Sequence, residues 1–243
     1  MQIIKLDATQ STNTYLKNLS FERALEDFTV ITTKNQTSGR GQLNAVWESQ
    51  PGKNLAFSVL KKNIDIPIQR VFLVSVCVSL AILESLKDFG IPNLSIKWPN
   101  DILSGNYKIG GILIENIISG STIKRSIIGF GLNVNQKSFK NAPHASSLKI
   151  ITGIDYDLDE VFYSLVEHLH QNLIRPFQLR EKELYAQYHT YLFKKGQTSI
   201  FKLPNDEQIT GTIEKVSIDG KLVVKLVNGD FKEFGLKEIQ LLY

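Results

Sequence analysis

The sequence predicts an α+β fold followed by a small all-β unit. Stretches of helical apolar period are interspersed with β-branched, strand-like stretches as far as residue 193. Two long apolar strands flank Ser119-Gly120-Ser121 as a hairpin, and from residue 194 the pattern turns to short strands punctuated by turn dipeptides. At 243 residues the chain is long enough for a large unit of residues 1–193 and a small one of residues 194–243, with a sizeable core.

Each element has its own reason. Residues 2–7 alternate as a short strand, and Ser11 stands where it can cap a helix with Tyr15, Leu16 and Leu19 on one face. Residues 28–33 read as a buried, β-branched strand. Residues 34–53 have no period and almost no aliphatic content, the mark of a binding loop or of disorder. Residues 54–60 form another strand, and residues 68–89 a long helix, apolar around most of its surface and stopped by Gly90 and Pro92. A strand over residues 94–98 breaks at Pro99. The hairpin pairs residues 108–118 with 123–134, and residues 158–174 and 180–191 read as amphipathic helices. Strands over 198–203, 208–216, 222–226 and 230–234, divided by Asp219-Gly220 and Asn228-Gly229, suggest a small β-barrel.

Composition narrows the function. A formal charge of +4 without a dense Lys/Arg block gives no electrostatic case for specific DNA binding and favours a small anionic substrate. The most apolar run, residues 71–83, is short of the roughly 20 residues a membrane span needs, so no membrane partner is expected. No leader pattern opens the chain, and the single cysteine, Cys77, suits a reducing cytoplasm and reads as a core thiol in the long helix. The four histidines form no metal-ligand pattern.

Three stretches can carry chemistry. In Gln36-Thr37-Ser38-Gly39-Arg40-Gly41-Gln42, two glycines around an arginine can cradle an anion, or form a turn with a solvated arginine. Trp47 and Pro51-Gly52-Lys53 add a flat ring and a cation. Lys97-Trp98-Pro99-Asn100-Asp101 sits where a strand breaks off, and reads either as a plain strand end or as a bend that positions a metal ion or phosphate. If the hairpin turn centres on Gly120, opposed residues sum to about 240, which sets Gly110-Gly111 near Gly129-Phe130 and Lys108 near Gly131 or Leu132. Facing glycines suit a flat ligand against the backbone or a close helix–sheet contact. Lys108 and Asn133 then stand at the same open end.

In their order, Gly39-Arg40-Gly41-Gln42 with Trp47 and Pro51-Gly52-x-Asn54-Leu55, Lys97-Trp98-Pro99-Asn100-Asp101, Lys108-x-Gly110-Gly111-Ile112-Leu113-x-Glu115 and Gly129-x-Gly131-Leu132-Asn133-Val134 resemble biotin–protein ligases. Ser11-Thr12-Asn13 and Ser146-Ser147-Leu148 are similar to further segments of that family, and residues 196–243 to its SH3-like C-terminal domain. The resemblance implies a mixed-sheet α+β catalytic domain like that of class II aminoacyl-tRNA synthetases. It implies an enzyme that converts biotin and ATP, with magnesium, to biotinyl-5'-adenylate and transfers biotin to a lysine of a biotin carboxyl carrier protein, such as an acetyl-CoA carboxylase subunit.

The roles follow from the same resemblance. Ser11, Thr12 and Gln36, with Asn13 beside them, would hold the polar head of biotin, while Gly110, Gly111, Gly129 and Gly131 let its rings approach the backbone. Arg40 and Lys108 would hold the biotin carboxylate and the α-phosphate, with Gly39, Gly41 and Gln42 around them. Trp47 would cover the adenine side, and Asn133 would bind nucleotide phosphate or ribose. Lys97 and Asn100 would flank Asp101, which would act near magnesium and phosphate or orient the acceptor lysine.

Two departures stand out. Many relatives carry a second arginine where this chain has Gln42, and Leu43-Asn44 keeps the loop neutral. Only ten residues precede Ser11, which leads to the expectation of a ligase-only form without the N-terminal winged helix of the regulatory members. A homodimer is compatible with the family but has no signal in this sequence. The rivals are a lipoate–protein ligase, whose arginine and nonpolar glycine-rich loop the Gly39-Arg40-Gly41-Gln42 pattern does not match, an octanoyl transferase, which needs a catalytic cysteine, and a non-catalytic biotin sensor.

Overall fold

A computed structural model describes residues 1–42, 45–140, 142–175 and 177–243, so the neutral Leu43-Asn44 step lies outside the described residues. Strands β1 (Ile3–Thr9) and β2 (Thr29–Gln36) run parallel, joined by helix α1 (Thr12–Glu22) as the crossover such a pair requires. Strands β3 (Leu55–Pro67), β4 (Leu94–Lys97), β5 (Asp101–Ser104), β6 (Tyr107–Ser119) and β7 (Thr122–Leu132) complete a mixed seven-stranded sheet in the order β1-β2-β3-β7-β6-β5-β4. All its other pairs are antiparallel.

Helices cover both faces of this sheet. On one face Leu16 of α1 packs with Leu25, Ile31, Leu60 and Ile127. On the other lie α2 (Phe72–Asp88), α4 (Leu158–Ile174) and the main core, where Phe57 meets Phe130 and Phe162 edge-on at 5.9 and 5.5 Å. The helical stretch Ile68–Asp88 is longer than the apolar run read from the sequence, and by length and composition it could cross a membrane. Its apolarity has another cause: 67% of its most apolar window is buried inside the fold. Burial also pushes the Cys77 thiol up to about 12, which leaves it protonated and unreactive.

The C-terminal segment forms a second sheet from β8 (Thr198–Lys202), β9 (Gln208–Val216), β10 (Leu222–Leu226), β11 (Phe231–Phe234) and β12 (Gln240–Leu242), all antiparallel in the order β11-β10-β9-β8-β12. Trp98 Nε1 donates to the Gly220 carbonyl at 2.8 Å, and Tyr185 of α5 (Glu181–Thr190) donates to the Ile218 carbonyl at 3.0 Å, so the second sheet is tied to the first unit next to the Trp98-Pro99 bend. Strands β5 and β12 and the short helix α3 (Leu148–Thr152), capped by Ser147, are absent from the sequence reading, since three to five residues carry little period and none of these is flanked by the Asp-Gly or Asn-Gly dipeptides that mark β10 and β11.

The α5–β9 contact has a built-in pH dependence. His189 Nε2 lies 3.0 Å from both the Val216 N–H and the Val216 carbonyl, and burial holds the His189 pKa below its ordinary value, the Val216 contact opposing that shift and Lys195 and Lys215 adding to it. Because the unfolded chain takes up this proton first, the stability His189 contributes is complete above its unfolded pKa of about 6.5 and is lost as pH falls below it. Between about pH 7.5 and pH 5.5, the wild-type Tm should drop about 1–3 °C more than that of His189→Gln. Parallel pH profiles would rule out His189 as the cause.

Candidate active site

The candidate site lies on the α1 face of the main sheet, and its floor is set by strand register. Ser119 pairs with Thr122 beside a two-residue turn, a register shift follows at Ile117/Ile118, and Gly111 then pairs with Gly131 and Leu113 with Gly129. The sum of 240 expected from a turn centred on Gly120 is therefore corrected: the two-residue turn adds one position and the shift adds another. Strand β3 contributes Ala56 opposite Gly131 and Ser58 opposite Gly129. Ala56, Gly131 and Gly111 thus stand side by side across three strands, a floor with almost no side-chain relief.

Trp47 occupies that floor. A Cβ on Gly131 would stand 2.7 Å from Trp47 Cε2, and one on Gly111 would stand 3.1 Å from Trp47 Cζ3. The flat group pressed against these glycines is here the chain's own indole. The loop that carries it turns tightly: Gly41 N–H donates to the Ala45 carbonyl at 2.7 Å, Arg40 bridges to Val46, and Trp47 N–H donates to the Gly39 carbonyl at 3.0 Å. Gly39 admits no side chain, since its Cβ would lie 2.5 Å from the Trp47 carbonyl oxygen.

A polar wall rises from the start of α1. Ser11 occupies the N-cap but its side chain makes no capping bond; instead Gln36 Oε1 accepts from Thr12 N–H at 2.8 Å and Thr12 Oγ1 at 3.1 Å. Ser58 Oγ lies 2.8 Å from Thr12 Oγ1 and 2.6 Å from Asn13 Oδ1. Asn13 Nδ2 donates to the Leu113 carbonyl at 3.1 Å and to Glu115 Oε2 at 3.0 Å. Asn13 is also why Gly129 is glycine, because a Cβ there would collide with Asn13 Oδ1.

Two carboxylates organise the cations. Asp101 Oδ1 takes Lys108 Nζ at 2.6 Å, while Asp101 Oδ2 faces Lys97 Nζ at 3.7 Å. Burial lowers the Lys97 pKa, Asp101 opposes that shift, and Lys108 adds to it. Lys108 Nζ also stands 5.4 Å from the centroid of a Trp47 ring. Glu115 Oε2 takes Arg40 at 3.1 Å, and Glu115 Oε1 takes Lys17 at 3.5 Å. No group of three His, Cys, Asp or Glu among the described residues could hold a metal ion. Asp101, already facing two ammonium groups, is a poor site for a resident magnesium.

These residues line a cavity of about 230 Å³, which brings together Ser11, Thr12, Asn13, Gln36, Arg40, Gly41, Gln42, Trp47, Asn100, Asp101, Lys108, Gly111, Gly129 and Gly131. Beside it, a second cavity of about 210 Å³ is lined by Val46, Trp47, Glu48, Lys108, Asn133, Phe139, Ala142 and Ala145. Val46, Trp47 and Lys108 line both, and Trp47 and Lys108, 5.4 Å apart, form the partition between them. Asn133 is buried in the second chamber's wall, with Nδ2 donating to the Ser146 carbonyl at 2.9 Å and Oδ1 without a partner among the described residues. Gly39 and Gly110 support the walls from behind, the latter because a Cβ there would strike the Phe130 ring at 2.9 Å. Lys97 lines a cavity toward the second sheet and reaches the candidate site only through Asp101.

Sequence reading assigned no part to Ser58, Lys17 or Gln136 and gave Glu115 no role. Ser58 and Gln136 had a signal, a polar residue within or just beyond an apolar strand. Gln136 is fully buried, and its Oε1 accepts from Gln50 N–H at 3.0 Å and Asn54 Nδ2 at 2.5 Å, which pins the C-terminal limb of the Trp47 loop. Toward its tip the same loop has little apolar burial to hold it, and Val46 is 86% exposed. Biotin with ATP, the ligands that the sequence resemblance implies, should therefore protect the Arg40 bond from limited proteolysis. Equal cleavage with and without them would rule out ligand-dependent ordering.

A glycine floor, a polar wall and paired cations around one cavity describe a site for a small ligand with an anionic group. Residues 6–133 match the Biotin/lipoate A/B protein ligase family, and the chain belongs to that family. Among its relatives, the bifunctional ligase/repressor BirA of Bacillus subtilis is 34% identical over 135 residues, 56% of this chain and 41% of that protein. The biotin–[acetyl-CoA-carboxylase] ligase of Mycobacterium tuberculosis is 27% identical over 217 residues, covering 88% and 79%. The biotin protein ligase from Aquifex aeolicus in complex with biotin and ATP superposes with a TM-score of 0.79 at 28% identity, covering 99% of this chain and 98% of the other. The chain spans 41% of the length of both Bacillus relatives it matches.

Proposed function

We propose that the protein is an ATP-dependent biotin–protein ligase, which activates biotin as biotinyl-5'-adenylate and passes it to a lysine of a biotin carboxyl carrier protein. The observation that carries this reading is the pair of chambers partitioned by Trp47 and Lys108. One has the polar wall of Thr12, Asn13 and Gln36, suited to the ring head of biotin. The other has the orphan acceptor of Asn133, suited to a donor on the nucleotide such as a ribose hydroxyl or the exocyclic amine of adenine. A carboxylate entering from the first chamber and an α-phosphate entering from the second meet at Lys108.

In the first step a biotin carboxylate oxygen attacks the α-phosphorus, the bond to the bridging oxygen of pyrophosphate breaks, and pyrophosphate leaves. Both partners are anionic, so Lys108 and Arg40 lower the repulsion and stabilise the charge that builds on the phosphoryl oxygens. Trp47, its loop closed, keeps water from the mixed anhydride. In the second step the neutral amine of the acceptor lysine attacks the acyl carbon, the bond to AMP breaks, and the amine proton is lost. With Lys108 drawn to phosphate, Asp101 keeps Lys97 as its partner and orients the incoming amine. Magnesium would supply charge neutralisation on the ATP phosphates, with Asp101, paired to Lys97 and Lys108, as the carboxylate facing that region.

The test is incubation with ATP, magnesium, either biotin or lipoate, and a purified biotin carboxyl carrier domain, followed by intact mass. A biotinyl adduct on the acceptor lysine is expected. A lipoyl adduct without a biotinyl one would reassign the substrate.

A further inference from the structure

One cation at the site has no part in the proposed chemistry. Lys17 reaches from α1 toward Glu115, the carboxylate that also holds Arg40. Glu115 is only one-quarter exposed, and its Oε2 is shared between Arg40 and Asn13, whereas Oε1 has Lys17 alone.

We infer that Lys17 is a positioning residue for activation: a reserve counter-ion that takes over Glu115 when Arg40 leaves it for the substrate's anionic group. This rests on the proposed role of Arg40 as an anion-binding group. Arg40 makes a single-nitrogen contact to Glu115 at 3.1 Å, and Glu115 is its one side-chain partner among the described residues. To reach a carboxylate or phosphate in the cavity it must give that contact up.

Without Lys17, its departure would leave a half-buried carboxylate uncompensated beside an incoming anion, and both effects oppose capture. With Lys17 at 3.5 Å, the ammonium is already in place, and its flexible stem can shorten the contact as Arg40 withdraws. Of the other charges on this face, Arg125 of β7 reaches the Ser20 carbonyl of α1 at 3.5 Å rather than Glu115, and Asn13 keeps Glu115 fixed throughout. Lys17 touches no substrate; it changes what Arg40 must leave behind.

The prediction is a coupling and is read by a double-mutant cycle. Lys17→Met should lower kcat/KM for adenylate formation about threefold to fivefold, the scale of a partly exposed ion pair, and most of the loss should vanish at high salt. In a Glu115→Gln background, which retains an acceptor for Asn13, the same substitution should change the rate less than about twofold. Lys17→Arg should restore activity, and Tm should stay nearly constant across the set. The same cycle is also read by equilibrium binding of pyrophosphate, a bare anion that needs no acyl chemistry. If the wild type fails to form an adenylate from biotin but the pyrophosphate cycle shows the coupling, the biotin reading falls and the counter-ion exchange stands. Equal losses from Lys17→Met in the wild-type and Glu115→Gln backgrounds, in both readouts, would overturn the exchange.

Discussion

Lys108→Ala should reduce adenylate formation roughly 100-fold or more while the protein stays folded. Lys108 lines both chambers and stands at the partition between them, so it is the one ammonium among the described residues positioned where the two reacting anions meet. A charge-assisted hydrogen bond contributes about 1.5–3 kcal/mol, and stabilising charge that develops in a closed site can contribute more. The fold should tolerate the loss: Lys108 is one-third exposed, and Asp101 keeps Lys97 at 3.7 Å, so the cost is about 1 kcal/mol, or roughly 2–4 °C in Tm. Lys108→Arg should recover only part of the rate, because a planar guanidinium cannot occupy the slot between Asp101 and the indole as an ammonium does. Pyrophosphate release measured beside a thermal melt separates the two effects. Near-normal release by Lys108→Ala would place the chemistry elsewhere.

Gly129→Ala should have the largest effect on stability of any single methyl added at the site. The new Cβ would overlap Asn13 Oδ1 and lie 2.9 Å from Asn13 Cγ. An amide that could swing aside would relieve this cheaply, but Asn13 is 2% exposed and fixed by Ser58, the Leu113 carbonyl and Glu115. Moving it leaves buried polar groups unpaired at about 1–3 kcal/mol, and overpacking adds a similar amount. We expect a loss of about 2–4 kcal/mol, a Tm lower by about 5–10 °C, and weaker biotin binding because Thr12 and Glu115 lose their common neighbour. In an Asn13→Ala background, where the clashing atoms are gone, the same methyl should cost less than half as much. A Gly129→Ala protein with wild-type Tm and biotin affinity would mean that the Asn13 network does not shape the site.

The pattern of residues and the pattern of the fold agree for most long elements, but β3 runs on to Pro67 where the sequence suggests an end at residue 60, because the irregularity around Asn63 and Asp65 interrupts the alternation. Residues 158–174 are legible as α4 because Val161, Phe162, Leu165, Val166, Leu169 and Leu173 fall on one face. The seven-strand order is a different matter, since it depends on which edges pair, and only the β6–β7 hairpin carries that information locally. Even there the turn and one register shift moved the pairing by two residues, which decides that Gly111 faces Gly131. The motif residues were legible as a set but their partners were not. Arg40 and Lys108 each have a carboxylate in this structure, Glu115 and Asp101, and such pairings arise from strands brought together across the sheet. Lys97 was grouped with its motif neighbours, yet β4 and the bend after it carry its side chain away from the cavity toward the second sheet.

The proposed reaction joins, in one site, the carboxylate of biotin to the α-phosphate of ATP at Lys108. Its most direct test is the biotin-dependent exchange of labelled pyrophosphate into ATP by the purified chain, with no carrier protein present. The expected exchange requires biotin, is not supported by lipoate, and disappears in Lys108→Ala. Exchange that proceeds without biotin, that lipoate alone sustains, or that survives the loss of Lys108 would contradict it.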